Sequence, residues 1–202
     1  MATTALTKTF GSASSASDRY KFTFSTWFKR GVAGDNDYLF GHQSSDGAND
    51  FAIRLDKDSG NPRLRVYDYQ SSSYNLHKQT TRFFRDHSAW YHVVAAVDTT
   101  QGTAANRIKL YINGEQQTSL ATATYPDQNF EMNWNNNVLH TVGRYPNNDA
   151  YHMDGYISEF YFIDGTQYAA SNFGETDDNG VWIPKDASGD LTFGTNGFYL
   201  EF

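Results

Sequence analysis

Apolar and polar residues alternate along much of this chain, and the alternation is clearest between residues 90 and 117. Two alternating runs, WYHVVAAVD and IKLYINGEQQ, are separated there by a polar loop. A period of two is typical of a β-strand with one face on a core. Asn113 and Gly114 favour a tight turn because both residue types tolerate a positive φ. Residues 90–117 are therefore predicted to form a β-hairpin whose second strand leads into a tight turn.

Further strands are predicted wherever the same alternation is bounded by turn residues. These segments are 21–30, 37–42, 51–56, 63–69, 139–144, 155–164 and 197–202. In 155–164, strict alternation places Phe160 and Phe162 on the face opposite Ile157. Helical spacing is nearly absent, except for one turn over 169–173. Many short strands separated by turns indicate an all-β sandwich or barrel.

The last predicted strand ends with the chain at Phe202. An apolar strand left unpaired at the edge of a sheet exposes hydrogen-bonding groups and favours aggregation. We therefore expect this strand to pair with the N-terminal segment 6–10.

Composition narrows the possible functions. The chain has 202 residues, which suits one all-β domain spanning 1–202. It has no Cys, which excludes disulfides and thiolate metal sites. The formal net charge is −7 and basic residues do not cluster, so a nucleic-acid partner is not expected. No apolar stretch approaches the length of a membrane span, and the first residues lack a secretory pattern, so neither a membrane partner nor a signal peptide is expected.

Several segments together resemble a known fold family. FTFSTWFKRG at 22–31, NDFAIRLDKDSGNPRLRVY at 49–67 and HTVGRYPNNDAYHMDGYISEFYFIDGTQYAASNF at 140–173 resemble successive strands of laminin-G-like and pentraxin-like domains. These domains are a branch of the concanavalin A-type jelly rolls. The resemblance implies an all-β fold, a two-sheet antiparallel jelly-roll sandwich of the concanavalin A-like lectin/glucanase type.

The C-terminal segment 173–202 (FGETDDNGVWIPKDASGDLTFGTNGFYLEF) is similar to a segment in structural proteins of aquatic tailed bacteriophages. This resemblance implies a location in the virion, as a capsid decoration protein or a fibre or tail appendage. Its partners would then be capsid or tail proteins, with glycans as further ligands. A homo-oligomer is expected, because a small module gains avidity by repetition. The alternative to a virion protein is a bacterial carbohydrate-binding module or adhesin, whose binding could depend on calcium.

The same fold houses laminarinase-type glucanases, which hydrolyse glycosidic bonds with two carboxylates on one strand face. No predicted strand has two acidic residues at that spacing, and Glu159 has only Asp164 nearby. A Gly-x-Ser-x-Gly elbow and a His-x-x-x-His metal pair are also absent. We therefore expect a protein that is not an enzyme, with a glucanase as the less favoured alternative.

Calcium is the one cofactor that the resemblance implies. Its ligands in the family come from two rim loops, which correspond here to Asn49 and Asp50 and to Asn147 and Asp149. Calcium binds carboxylate, amide and backbone oxygens, and the amide-rich second loop predicts weak binding. Asn and Asp are also ordinary turn residues, because their side chains bond to their own backbone, and this explanation stays open.

Aromatic residues in loops are candidates for stacking on sugar rings. Tyr145 and Tyr151 lie in the second rim loop and are the predicted ligand-binding residues. Trp134 is expected to pack under the loops, and Trp27 and Trp90, inside predicted strands, are expected in the core. Trp182 is expected to hold the C-terminal segment against the sandwich.

Overall fold

The computed structural model describes residues 6–11, 19–31, 36–58, 60–147 and 150–202. Fifteen strands form within these ranges, with one helical turn at Ala104–Arg107 (α1) and one 3₁₀ turn at Ala170–Asn172. The strands are Leu6–Thr9 (β1), Lys21–Arg30 (β2), Asn36–Gln43 (β3), Asn49–Asp58 (β4), Asn61–Gln70 (β5), Ser73–Phe83 (β6), Tyr91–Asp98 (β7), Ile108–Ile112 (β8), Glu115–Gln116 (β9), Leu120–Thr124 (β10), Leu139–Val142 (β11), Gly155–Asp164 (β12), Gly174–Thr176 (β13), Trp182–Pro184 (β14) and Phe198–Leu200 (β15).

Two large antiparallel sheets make up the sandwich. The seven-stranded sheet has the order β1-β11-β3-β4-β5-β6-β10, and the six-stranded sheet has the order β15-β12-β2-β7-β8-β9. Strands β13 and β14 form a separate small sheet. The all-β, two-sheet prediction is therefore confirmed, as is the single turn near residue 170. Within the described ranges, no helix is long and apolar enough to cross a membrane.

Aromatic side chains from both sheets fill the core between them. The ring of Phe24 on β2 stacks on Phe40 of β3 at 5.7 Å between centroids. Trp134 is fully buried, with Phe22 of one sheet at 5.0 Å and Phe51 of the other at 4.8 Å. Burying each such ring contributes about 1.5–3 kcal/mol. The expected packing of Trp134 beneath the loops is confirmed.

The predicted hairpin has the expected geometry at its tight turn. Strands β7 and β8 pair with Val93 opposite Ile112. Asn113 and Gly114 follow with φ angles of 48° and 81°, the left-handed values that this residue pair favours. A Cβ added to Gly114 would lie 2.6 Å from the Trp182 ring, so the turn also needs glycine for space.

The prediction that Trp90 is a core residue is wrong, because its side chain is 42% exposed. Strand β7 begins one residue later, at Tyr91. Tyr91 packs inward against Phe28 and Phe84, and alternation turns Trp90 to the outer face of the sheet. The prediction for Trp27 as a buried residue is confirmed, although it too lies on that outer face.

The two ends of the chain do not pair with each other as expected. β1 pairs with β11, and β15 pairs with β12 of the opposite sheet. The strands still meet where the edges of the two sheets come together, since the Lys8 ammonium lies 4.4 Å from the centroid of the Phe198 ring. Each terminal strand thus covers the edge of a different sheet.

Alternation along β12 is interrupted by a β-bulge between Ser158 and Tyr161. Glu159 within it has a φ of 50°, which is uncommon for a residue other than glycine. The bulge shifts the phase by one residue, so that Ile157 packs against the same core cluster as Phe160. The predicted placement of these two residues on opposite faces is therefore wrong.

The C-terminal segment forms a further layer over the outer face of the six-stranded sheet. A second apolar cluster joins the sheet residues Val94 and Tyr161 to Phe173 and Ala187 of this segment. Trp182 packs against the cluster, which confirms that it holds the segment to the sandwich.

Candidate functional site

The outer face of the seven-stranded sheet carries a row of tyrosine and arginine side chains. Leu64 and Val66 of β5 are fully buried in the core, so alternation turns Arg65 and Tyr67 outward. The row, called here the tyrosine–arginine face, consists of Tyr38, Arg54, Arg65, Tyr67 and Tyr74. It crosses the four adjacent strands β3 to β6, which span about 14 Å at the usual spacing between strands.

Guanidinium groups and phenol rings stack along this face. The Arg54 guanidinium lies 5.1 Å from the centroid of the Tyr38 ring and 5.5 Å from that of Tyr67. The Arg65 guanidinium lies 4.7 Å from the Tyr67 centroid and 5.1 Å from that of Tyr74. Each contact contributes about 0.5–2 kcal/mol. The row is therefore fixed before any ligand arrives.

Asp56 holds the two guanidinium groups together and balances part of their charge. Its carboxylate oxygens lie 2.6 Å from Nε of Arg54 and 3.0 Å from Nη1 of Arg65. Both arginine side chains are mostly buried, so this ion pairing keeps their charge from being buried alone. The face combines flat rings with hydrogen-bond donors.

Buried phenol hydroxyls extend the network toward one end of the sheet. Arg54 Nη1 donates to the Tyr38 hydroxyl at 2.7 Å, and the Tyr67 hydroxyl donates to Asp50 Oδ2 at 2.9 Å. Burial raises the pKa of Tyr38 to about 12, against the opposing effect of Arg54, and burial also raises the pKa of Tyr67. Both phenols therefore stay neutral at physiological pH and keep their O–H donors.

Gln43 connects the two rim segments from which the family resemblance implies calcium ligands. Its Nε2 donates to Asp50 Oδ2 at 3.3 Å. Its Oε1 accepts a hydrogen bond from Asn147 Nδ2 at 2.9 Å and another from the Tyr145 hydroxyl. Gln43, Asp50, Tyr145, Asn147 and Tyr151 are called here the rim cluster. Sequence reasoning missed Gln43, because nothing local distinguishes it from any other polar residue at a strand end.

Asp50 keeps one carboxylate oxygen without a hydrogen-bond partner among the described residues. This atom, Oδ1, is buried. Burial raises the pKa of Asp50, although the hydrogen bond from Tyr67 and the charge of Arg54 act in the opposite direction. A buried acceptor without a donor costs about 1–3 kcal/mol. A ligand hydroxyl or a cation that reached Oδ1 would relieve that cost.

Tyr145 and Tyr151 come together at this rim, next to Tyr38. The rings of Tyr145 and Tyr151 meet edge to face, with centroids 5.7 Å apart. Tyr38 lies 5.1 Å from Tyr145 and 6.3 Å from Tyr151. Tyr151 is 48% exposed and has a φ of 51°, so a strained backbone presents its ring to solvent.

The four predicted calcium ligands do not all enter one cluster. Asp50 and Asn147 share Gln43 as a partner. Asn49 precedes Asp50 on β4, so alternation turns its side chain to the other face, and its backbone N–H donates to Ser44 Oγ. Asp149 lies outside the described residues. Among those described, no group of three or more His, Cys, Asp or Glu residues is placed to hold a metal ion.

The sequence of residues 7–171 matches the family model of the concanavalin A-like lectin/glucanases superfamily. The chain belongs to this superfamily. The match includes the tyrosine–arginine face and the rim cluster, and it ends just before the C-terminal segment. Among curated proteins, no sequence match is found.

Two solved structures of bacterial proteins have a similar fold. A putative carbohydrate-binding protein from Bacteroides ovatus aligns with a TM-score of 0.53 and 18% identity. The alignment covers 74% of the chain described here and 38% of the Bacteroides chain. The CBM40 of the Ruminococcus gnavus IT-sialidase aligns with a TM-score of 0.51 and 13% identity, over 77% and 81% respectively.

Tailspike protein 2 of an Escherichia coli O157:H7 bacteriophage also aligns, with a TM-score of 0.50 and 8% identity. The alignment covers 84% of this chain and 22% of the tailspike. This chain thus spans well under half the length of the tailspike and of the Bacteroides protein. Similarity at these identities concerns the fold alone.

Proposed function

We propose that this protein binds an oligosaccharide on the tyrosine–arginine face and its rim cluster, and that it catalyses no reaction there. The observation that carries the proposal is a row of fixed rings and guanidinium donors with exposed tyrosines, Tyr74 at 42% and Tyr151 at 48%. Sugars have apolar C–H faces that pack on aromatic rings and hydroxyls that bond to charged groups. Tyr38 and Tyr67 are 1% and 3% exposed, so a sugar would stack on Tyr74 of β6 and on Tyr151 beside β3, the outer strands of a row about 14 Å wide.

Asp50 would provide an acceptor for a sugar hydroxyl at the rim. Its Oδ1 is buried and lacks a donor among the described residues, and Gln43 links the carboxylate to the exposed Asn147 side chain. A sugar hydroxyl that reached Oδ1 would donate to it, and one that displaced Asn147 would take its place on Gln43 Oε1. The fold membership and the carbohydrate-binding neighbours support a sugar as the ligand.

A glycosidase is disfavoured by the spacing of the carboxylates on this face. A retaining enzyme needs two carboxylates about 5–5.5 Å apart, and an inverting enzyme needs about 6.5–9.5 Å. Asp50 and Asp56 lie on one strand, six residues and therefore about 20 Å apart. Asp56 is also ion-paired to Arg54 and Arg65.

Calcium at the rim is a further part of the proposal. Asp50 Oδ1 is a fitting ligand because it is an oxygen of a carboxylate and lacks a donor among the described residues. Calcium takes six to eight oxygen ligands, so Asp50 and Asn147 would hold it only together with backbone oxygens, water or Asp149. A bound calcium ion would link sugar hydroxyls to the oxygen ligands of the rim cluster.

An array of immobilised glycans tests the binding proposal, probed with the full chain in the presence of calcium or of a chelator. Retention of a defined glycan family is expected, and loss of that signal with chelator supports the calcium site. Equal retention with and without chelator contradicts the calcium site alone. A chain that retains no glycan under either condition contradicts carbohydrate binding.

We also propose, as the setting of this activity, the surface of a phage virion, with a bacterial adhesin as the alternative. The support is the similarity of segment 173–202 to phage structural proteins. The chain is then expected to co-purify with particles and to form a homo-oligomer in light scattering. A monomer that separates cleanly from particles contradicts the virion assignment and favours the adhesin.

A further inference from the structure

A second groove lies on the opposite side of the sandwich, on the outer face of the six-stranded sheet. It has a volume of about 300 Å³, within the range of pockets that take small molecules. Its walls include the side chains of Trp27, Trp90, Glu159, Trp182 and Pro184, called here the tryptophan groove. Trp182 and Pro184 belong to the C-terminal segment, beyond the residues that match the superfamily.

The three indole rings present three different degrees of exposure. Trp27 is 7% exposed and forms the floor, Trp182 is half-buried, and Trp90 is 42% exposed. The ring of Trp27 stacks on His92 at 4.9 Å, and His92 lies 6.0 Å from Trp182 in a nearly parallel orientation. These contacts hold the floor and one wall in place without a ligand. The groove is therefore preorganised, which lowers the entropic cost of binding.

A carboxylate is held at the edge of these rings by an unusual backbone. Glu159 has a φ of 50° inside the β-bulge of β12, and bulges commonly redirect a side chain at a functional site. Its Oε2 accepts hydrogen bonds from the hydroxyls of Tyr161 and Tyr199, each at 2.9 Å. Oε1 accepts no hydrogen bond from the described residues, so it is available to a ligand hydroxyl.

Trp27 adds an unmet donor to the floor of the groove. Its indole N–H is buried and has no hydrogen-bond partner among the described residues. Flat apolar rings beside an available carboxylate oxygen suit a pyranose, whose C–H face is apolar and whose edge carries hydroxyls. In the adjoining cleft, the acidic side chains Asp186 and Glu201 outnumber the one cation among its described residues, Lys185, and together with Glu159 they disfavour an anionic sugar.

We propose that the tryptophan groove is a second carbohydrate-binding site, selective for a neutral pyranose unit. The sugar packs a C–H face on Trp90 and Trp182, and one hydroxyl donates to Glu159 Oε1. This site is independent of the tyrosine–arginine face, because the two surfaces lie on opposite sheets. Two sites on opposite sides would let one chain bridge two glycans.

The test follows the four indole N–H signals of the full chain by NMR during titration with neutral disaccharides. Maltose, cellobiose and lactose are the neutral probes, and sialyllactose is the anionic probe. At least one neutral sugar is expected to shift the Trp90 and Trp182 signals below about 10 mM, with a weaker response to sialyllactose. Trp134 is fully buried in the core and serves as the internal reference signal.

Variants separate binding in the groove from general loss of structure. Trp90→Ala and Glu159→Gln are each expected to weaken the neutral sugar about tenfold, the effect of one stacking or charged contact. Val181→Ala is the matched control, because Val181 is 55% exposed, adjoins Trp182 and does not line the groove. Circular dichroism and thermal unfolding confirm that each variant is folded.

The proposal is overturned by the absence of an indole shift with any neutral sugar, by unchanged affinity in Trp90→Ala and Glu159→Gln, or by equal affinity for sialyllactose. Indole shifts with a proline-rich peptide but with no sugar would also overturn it and assign the groove to a protein partner. Tyr151→Ala leaves this titration unchanged if the two sites are independent. That variant therefore distinguishes failure of the groove from failure of the tyrosine–arginine face.

Discussion

The indole N–H of Trp182 donates a hydrogen bond to Nδ1 of His92 over 3.0 Å. An indole nitrogen only donates, so Nδ1 must be the unprotonated nitrogen of a neutral ring. The proton is then on Nε2, which donates to Ser25 Oγ at 2.8 Å. Burial lowers the pKa of His92 to about 3, which keeps the ring neutral. A neutral histidine thus connects the C-terminal segment to the six-stranded sheet.

Acid should weaken this connection. The folded pKa of about 3 lies below the unfolded value of about 6.5, so the unfolded chain binds the proton first as pH falls. The stability from His92 is present above pH 6.5 and is lost progressively toward pH 3. At pH 4.5 the loss is roughly 2–3 kcal/mol, from about 1.4 kcal/mol per pH unit.

A comparison with His92→Gln isolates this contribution. A comparison is needed because burial raises the pKa of Asp68 to about 7, so that Asp68 favours the folded state as pH falls. This effect opposes that of His92 in the wild type but is the same in both proteins. We expect urea unfolding to show His92→Gln destabilised at pH 7, with the difference from wild type about 2–3 kcal/mol smaller at pH 4.5. A difference that stays constant between the two pH values would show that His92 does not titrate as described.

Removing the donor of this hydrogen bond should loosen the C-terminal segment. Trp182→Phe keeps an aromatic ring but leaves His92 Nδ1 without its partner, at a cost of about 1–3 kcal/mol. Hydrogen exchange is expected to accelerate in residues 173–202 more than in β2 and β7. Val181→Ala, at an exposed neighbouring position, should change stability by less than about 0.5 kcal/mol. Unchanged exchange in Trp182→Phe would contradict the role of the bond.

Two glycines with the same backbone angle separate strain from crowding. Gly114 and Gly180 have φ angles of 81° and 80°, but only at Gly114 would an added Cβ meet the Trp182 ring, at 2.6 Å. Gly180→Ala should cost about 1–2 kcal/mol from the left-handed backbone alone. Gly114→Ala should cost about 1–3 kcal/mol more, from displacement of Trp182. Equal losses of unfolding free energy in both variants would show that the Trp182 ring moves aside without an energetic cost.

Local alternation made the hairpin of residues 90–117 and most strands predictable, because each pattern is complete within one segment. Strand β6 was missed, since its inward positions include a lysine. Lys78 is buried and donates to the backbone oxygen of Ile108 at 2.9 Å. Burial lowers the pKa of Lys78 to about 8. A polar residue that reaches across the sandwich cannot be recognised from hydrophobic periodicity.

Part of the candidate site could be predicted from the sequence alone. Alternation in RLRVYDY already puts Arg65, Tyr67 and Tyr69 on one face, but the strands beside them had to be known before a tyrosine–arginine face could be seen. Gln43 bonds to Asn147, about a hundred residues away in the chain. The position of Glu159 depends on its unusual backbone angle. Neither relationship leaves a local signal, so only the folded arrangement reveals them.

Carbohydrate binding on the tyrosine–arginine face is tested most directly by calorimetry with a glycan retained on the array. We expect binding to be about tenfold weaker in Tyr151→Ala and in Tyr74→Ala, since each loses one exposed stacking ring. Val181→Ala, which changes a 55% exposed residue of the C-terminal segment and lines neither site, should bind as wild type does. Unchanged affinity in both Tyr151→Ala and Tyr74→Ala, or an equal loss in Val181→Ala, would contradict carbohydrate binding on the tyrosine–arginine face.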